Sequence, residues 1–191
     1  MTNILDIEAS GFGPDSYPIE IGAVLQSGEQ YCTLIHPAAD WMHWDACAEK
    51  VHGVSRELLL KHGKPINQVA IELNDFIGNN TIYSDCWGVD QPWLTKLFYA
   101  AAINQKFRLS DLECILKEPQ MAIWHQTKKQ VQAESNLKRH RASSDAKVIQ
   151  LTYLRSKAYY QKALARDPVH PAYQINQSAS TQASAQLVKS H

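Results

Sequence analysis

No lysine or arginine occurs before Lys50, whereas eight acids, from Asp6 to Glu49, do. The first quarter of the chain therefore offers oxygen ligands and no strong base. The formal net charge of the whole chain is zero, which argues against a protein that coats long duplexes. No apolar run approaches the roughly 20 residues needed to span a bilayer, so no membrane partner is expected. The N-terminus carries no basic stretch followed by an apolar one, and nothing there points to export. Cysteine is scarce, and Cys32, Cys47, Cys86 and Cys114 show neither zinc-ligand nor redox spacing. That excludes a disulfide framework and a zinc finger, and predicts a reduced, cytoplasmic protein.

What is present is a chain of 191 residues, 45% hydrophobic, enough for one domain with a substantial core. Residues 1–173 are expected to form that domain. Residues 174–191 are rich in Ser, Ala and Gln without periodicity and read as a disordered tail. Basic residues gather late, at Lys128, Lys129, Lys138, Arg139 and Arg141. An acidic region beside a basic one suits metal-dependent phosphodiester chemistry, with acids for ions and bases for phosphates. Ordinary charge segregation on a solvated surface is the competing explanation.

The stretch NILDIEASGF, residues 3–12, reads as a strand closed by Ser10-Gly11 and Gly13-Pro14. Alternation puts Ile4, Asp6 and Glu8 on one face and Leu5, Ile7 and Ala9 on the other. Two adjacent carboxylates on an apolar strand resist joint ionisation, and a hard divalent cation relieves them. A half-exposed strand with an acidic wet face is the plainer reading. Residues 18–25 and 29–36 read as further strands joined by the short link Gln26-Ser27-Gly28, and TIYS, 81–84, as another. Helices are expected over 56–62 with Ser55 as cap, and over 65–77 with an apolar stripe from Ile66 to Ile77. Others are expected from Asp90 to Ala102, from Ser110 as cap through 117, from 119 to about 137, and from 142 to about 166. Strands followed by helices around a further strand predict an α/β or α+β sheet flanked by helices.

Asp85 and Asp90 lie just past TIYS, where either can join Asp6 and Glu8, or serve as a turn residue and a helix cap. His140 and Asp145 lie in KRHRASSDA, with Asp145 in the first turns of the last helix. A histidine there can titrate near neutrality and act as a general base. D-x-E on a first strand, an Asp before D-x-x-W-L, then H-x-x-x-x-D, in that order, resemble the DEDDh family of 3′–5′ exonucleases. This class includes oligoribonuclease and polymerase proofreading subunits. The resemblance spans about Ile4 to Leu154, and DIEASGFG, IEIGAV and HRASSDA are its specific parts; HGVS, 52–55, also fits. Ser10 stands where the family usually has Thr, and Ser84-Asp85 where many members have His-Asn.

The resemblance implies a ribonuclease H-like fold, with a five-stranded mixed β-sheet between α-helices. It implies two divalent cations, Mg²⁺ or Mn²⁺, held by Asp6, Glu8, Asp90 and Asp145, with His140 as general base. Phe12, after Gly11, would wedge near the 3′ end, with Ser10 and Arg141 also near substrate. The aromatics Trp44 and Trp87, and the bases Lys138 and Arg139, are weaker substrate contacts. The implied partner is the 3′ end of single-stranded RNA or DNA, RNA slightly favoured, and the implied assembly a homodimer. The competing reading is a non-catalytic nucleic-acid-binding module on the same fold.

Overall fold

Alternation along β1 (Ile4–Ala9) decides the architecture, because each face of this strand meets its own core. In the computed structural model, which describes residues 2–166, Leu5 and Ile7 enter a large apolar cluster with Tyr17, Ile19, Leu73, Leu94 and Leu97. Ile4 points the other way, into a second cluster with Val24, Trp124, Ile149 and Tyr153. Asp6 and Glu8 share the face of Ile4 and are half-buried. The expected tail and its boundary at 173/174 lie outside the described residues.

β1 pairs antiparallel with β2 (Pro18–Val24), which pairs antiparallel with β3 (Gln30–Leu34). On its other side β1 pairs parallel with β4 (Thr81–Ser84), and β4 parallel with β5 (Arg108–Asp111). The spatial order is β3-β2-β1-β4-β5, a mixed five-stranded sheet with β1 at its centre. Helices α1 (Ala46–His52), α2 (Arg56–His62), α3 (Ile66–Ile77), α4 (Trp87–Ala101), α5 (Glu118–Ser135) and α6 (Ala142–Arg166) flank it. No helix among the described residues is long and apolar enough to cross a membrane.

Most expected elements are present with ends shifted by one or two residues. Ser55 caps α2 by accepting from the Leu58 amide, and the α3 stripe buries Val69, Ala70, Leu73 and Ile77. The segment after Pro37 forms a loop and then α1, capped by Asp45, which accepts from the Cys47 amide at 2.7 Å. Two expectations are corrected. RLSD is strand β5, so the cap for the following 3-10 turn (Leu112–Ile115) is Asp111, not Ser110. α4 begins at Trp87, which puts Asp90 inside its first turn rather than at its edge.

Candidate active site

The acids come together because of what stands opposite them. Across the β1–β2 ladder, Asp6 faces Gly22 and Glu8 faces Glu20, and the register slips by one residue after Glu8. Such a bulge re-aims side chains locally. Gly22 has no side chain, and the start of α6 lies on it: a Cβ there would fall 2.1 Å from the Ala142 carbonyl carbon and 2.2 Å from the Ser143 nitrogen. Glu20 is fully enclosed and holds the same helix start. It accepts from the Ala142 amide at 3.2 Å and from the Arg141 guanidinium at 2.6–3.1 Å. One turn into α6, Asp145 is thereby set beside Glu8.

His140 precedes that helix with φ 57°, a left-handed conformation rare for a residue with a side chain. Its backbone amide donates to Asp145 Oδ2 at 2.8 Å, which stabilises the unusual turn. One ligand atom each from Glu8, His140 and Asp145 lies within 4.8 Å of the others. Asp90 approaches from α4. It is 2% exposed and accepts a short hydrogen bond from the Ser84 hydroxyl. Asp6, Glu8, Asp90, His140 and Asp145 all line one cleft of about 500 Å³.

The electrostatics agree with the geometry. Asp6 is pushed well above its ordinary pKa, first by burial and then by the charges of Asp90, Glu8, Asp145 and Asp85. Glu8 rises to about 7, through burial and then Asp145, Glu20 and Asp90. Asp90 also rises to about 7, by burial, although the Ser84 hydroxyl and the Ile7 backbone oppose this. Burial raises Asp145, against the pull of the His140 amide and nearby cations. A cleft of crowded carboxylates with an imidazole beside them fits hard divalent cations, which supply the missing positive charge.

This crowding sets a pH dependence. The unfolded carboxylates lose their protons near pH 4–4.5, whereas the folded Glu8 and Asp90 keep theirs to about 7. The folded state thus binds more protons across that window, and stability falls as pH rises through it. We expect the melting temperature of EDTA-treated protein to drop by roughly 5 °C between pH 5.5 and pH 8. Mn²⁺ should raise it more at pH 8 than at pH 5.5. A melting temperature independent of pH and of metal would contradict this account.

Other sequence-predicted residues divide. Gly11 and Phe12 line the cleft. Gly11 has φ 147°, and a Cβ there would strike His43 Cε1 and Asp45 Cβ at under 3 Å, at 2.7 and 2.8 Å. Phe12 is 76% exposed, with its ring 6.1 Å from that of Trp93. Ser10 does not line the cleft: its hydroxyl is turned inward, near His43 Nδ1 and accepting from the Tyr17 amide. Arg141 does not line it either, being taken up by Glu20. Arg139 lines it, and Lys138 is exposed outside it. Asp85 lines it too, in an ion pair with Lys128 at 2.5 Å. Trp44 packs against the large core and donates to Glu49, while Trp87 is 41% exposed.

Three further residues shape the site. Glu20 and Gly22 act through contacts 120 residues away in sequence; a lone acid inside the apolar strand PIEIGAV is the only local sign of a buried pair. His52 is buried at the cleft wall, its Nδ1 accepting from the Val54 amide. Its pKa is lowered, chiefly by burial.

The sheet order β3-β2-β1-β4-β5, with helices flanking it, is the ribonuclease H-like fold. Solved structures with this fold include exonuclease I from Methylocaldum szegediense, with a TM-score of 0.60 and 12% identity, covering 77% of this chain and 38% of that one. Exonuclease I of E. coli in complex with a dA16 oligonucleotide gives 0.59 and 13%, covering 83% and 43%. The zinc-ion-bound form of an E. coli exonuclease I–ssDNA complex gives 0.57 and 15%, covering 88% and 41%. This chain spans about two fifths of the length of those proteins. No protein-family model matches the sequence, and no curated protein does.

Proposed function

We propose that this protein is a metal-dependent 3′–5′ exonuclease acting on single-stranded nucleic acid. The observation that carries the reading is the convergence of Asp6, Glu8, Asp90 and Asp145 on one cleft beside His140. The fold shared with exonuclease I supports it.

Asp6, Glu8, Asp90 and Asp145 would together hold the divalent cations, two in the proposed site. When bound, Mg²⁺ or Mn²⁺ would neutralise charge on the scissile phosphate and acidify water. His140, held by the link between its amide and Asp145, accepts the proton of the attacking water at a ring nitrogen. The new bond is water oxygen to phosphorus, the broken one phosphorus to the 3′ oxygen. A nucleoside 5′-monophosphate leaves. Phe12, exposed and backed by Trp93, stacks on the terminal base. Ser10 and Arg141 serve substrate indirectly, by fixing the Gly11 turn and the start of α6.

RNA and DNA are both within this reading. The family resemblance favours RNA, while neighbouring structures contain dA16 and ssDNA. A homodimer and a reduced, cytoplasmic setting belong to the same proposal; sedimentation tests the first. The deciding experiment is a ladder assay on matched RNA and DNA oligomers, single- and double-stranded, with Mg²⁺, Mn²⁺ or EDTA. Stepwise shortening of 5′-labelled single strands that EDTA abolishes is expected; undiminished shortening in EDTA refutes it. For His140→Ala we expect a fall in kcat of about 10²–10³ with Mn²⁺ affinity within a few-fold of the parent. Unchanged turnover would remove His140 from the base role.

A further inference from the structure

The cleft contains one ion pair that the proposed chemistry does not use. Lys128, in the middle of α5, meets Asp85, at the end of β4, at 2.5 Å, and both line the cleft. The pair is largely withdrawn from solvent, with side-chain exposures of 27% and 16%. Tying α5 to the sheet requires no such cost, since α5 already buries Trp124, Thr127 and Val131. An ammonium carries three donors, and one is spent on Asp85. The cleft that Lys128 lines is the one in which Asp6, Glu8, Asp90 and Asp145 gather. Gln132, one turn along α5, lines the same wall with an amide that can donate.

We propose that Lys128 binds a backbone phosphate of the incoming single strand, and that Asp85 is the positioning residue that holds Lys128 ready for it. The inference rests on the reading of the cleft as a nucleic-acid site and adds the group that receives the strand beside the acids. A lysine side chain loses much of its rotamer freedom when it is fixed on a ligand. Asp85 meets that cost before the strand arrives. It also explains an acid so close to the phosphate path: paired with Lys128, it adds no net charge. Arg139, also lining the cleft and in no ion pair among the described residues, can take a neighbouring phosphate.

Affinity for a 5′-labelled hexamer would be measured in EDTA, where nothing turns over, from 50 to 300 mM salt. Cleavage would be measured separately in Mn²⁺. Lys128→Gln should weaken binding about tenfold and reduce the slope of log affinity against log salt by about 0.7, one phosphate contact on a single strand. Lys128→Arg should keep the slope. Asp85→Ala should weaken binding several-fold with the slope unchanged, and should add nothing to Lys128→Gln. An unchanged slope in Lys128→Gln overturns the proposal, leaving the pair a structural tie. Tighter binding by Asp85→Ala overturns it too, because Asp85 would then compete with the strand. Should cleavage be absent while the slope shifts, the nuclease reading fails and the phosphate site stands. Should cleavage proceed with no slope change, the reverse holds. Far-UV circular dichroism and a melt of each variant ensure that the slopes compare folded proteins.

Discussion

Asp6→Asn should lose activity on any oligomer by a factor on the order of 10³ or more, and yet melt higher than the parent in EDTA at pH 8. The first effect follows from the place of Asp6 among the other acids: in the proposed metal site a neutral amide would hold divalent cations far more weakly, and several kcal/mol of transition-state stabilisation correspond to about three decades. The second follows from the repulsion that Asp6 suffers from Asp90, Glu8, Asp145 and Asp85. Replacing the carboxyl by an amide removes the source of these contacts. A gain of roughly 1–2 kcal/mol is the scale for relieving such a site. Stability and activity thus move in opposite directions, the signature of carboxylates arranged for ions. A fall in both would show that Asp6 is a structural residue. Retained activity would remove Asp6 from the proposed metal site.

Gly22→Ala should be the most damaging single-methyl change in the sheet. Gly22 is neither in a turn nor at a positive φ, so backbone freedom is not its purpose. Its added Cβ would lie 2.1–2.3 Å from the backbone of Ala142 and Ser143. Backbone cannot swing aside as a side-chain tip can, so the start of α6 must lift from β2. We expect a loss of about 3 kcal/mol, at the upper end for overpacking. Asp145 rides on that helix start, and a displacement near 1 Å can cost about 10² in rate. The expected result is a lower denaturant midpoint together with a kcat at least a hundredfold down. Ala23→Gly, the neighbouring position on the opposite face, is the control: it should lower stability while leaving kcat near the parent value. A stable Gly22→Ala protein with normal turnover would mean that α6 tolerates the shift and that Asp145 is not placed through Gly22.

These two cases show why part of the molecule is legible in one dimension. Asp6 and Glu8 reveal a shared face because strands alternate with period two, and the apolar residues between them leave no doubt about the register. TIYS and the stripe of α3 are readable for the same reason: each buries a side of fixed period. β5 is not readable, because an edge strand of four residues with only Leu109 buried has no pattern to show. The start of α4 is hidden by Trp87 and Gly88, which lack capping character, and the cap position falls to Cys86 without a side-chain bond. Glu20, Gly22 and Lys128 take their meaning from partners far along the chain. Lys128 in particular looks like one charge of a polar helix until Asp85 is found against it.

Ile4 carries a consequence for how substrate can arrive. It shares the face of Asp6 and Glu8, two residues earlier, and is wholly enclosed with Val24, Ile149 and Tyr153. The acids therefore stand on a ledge above a sealed floor. A polymer that descends to that ledge finds no continuation along the strand beneath it. In the proposed nuclease such a floor would receive a loose terminus more readily than the middle of a passing chain, and would favour attack at an end.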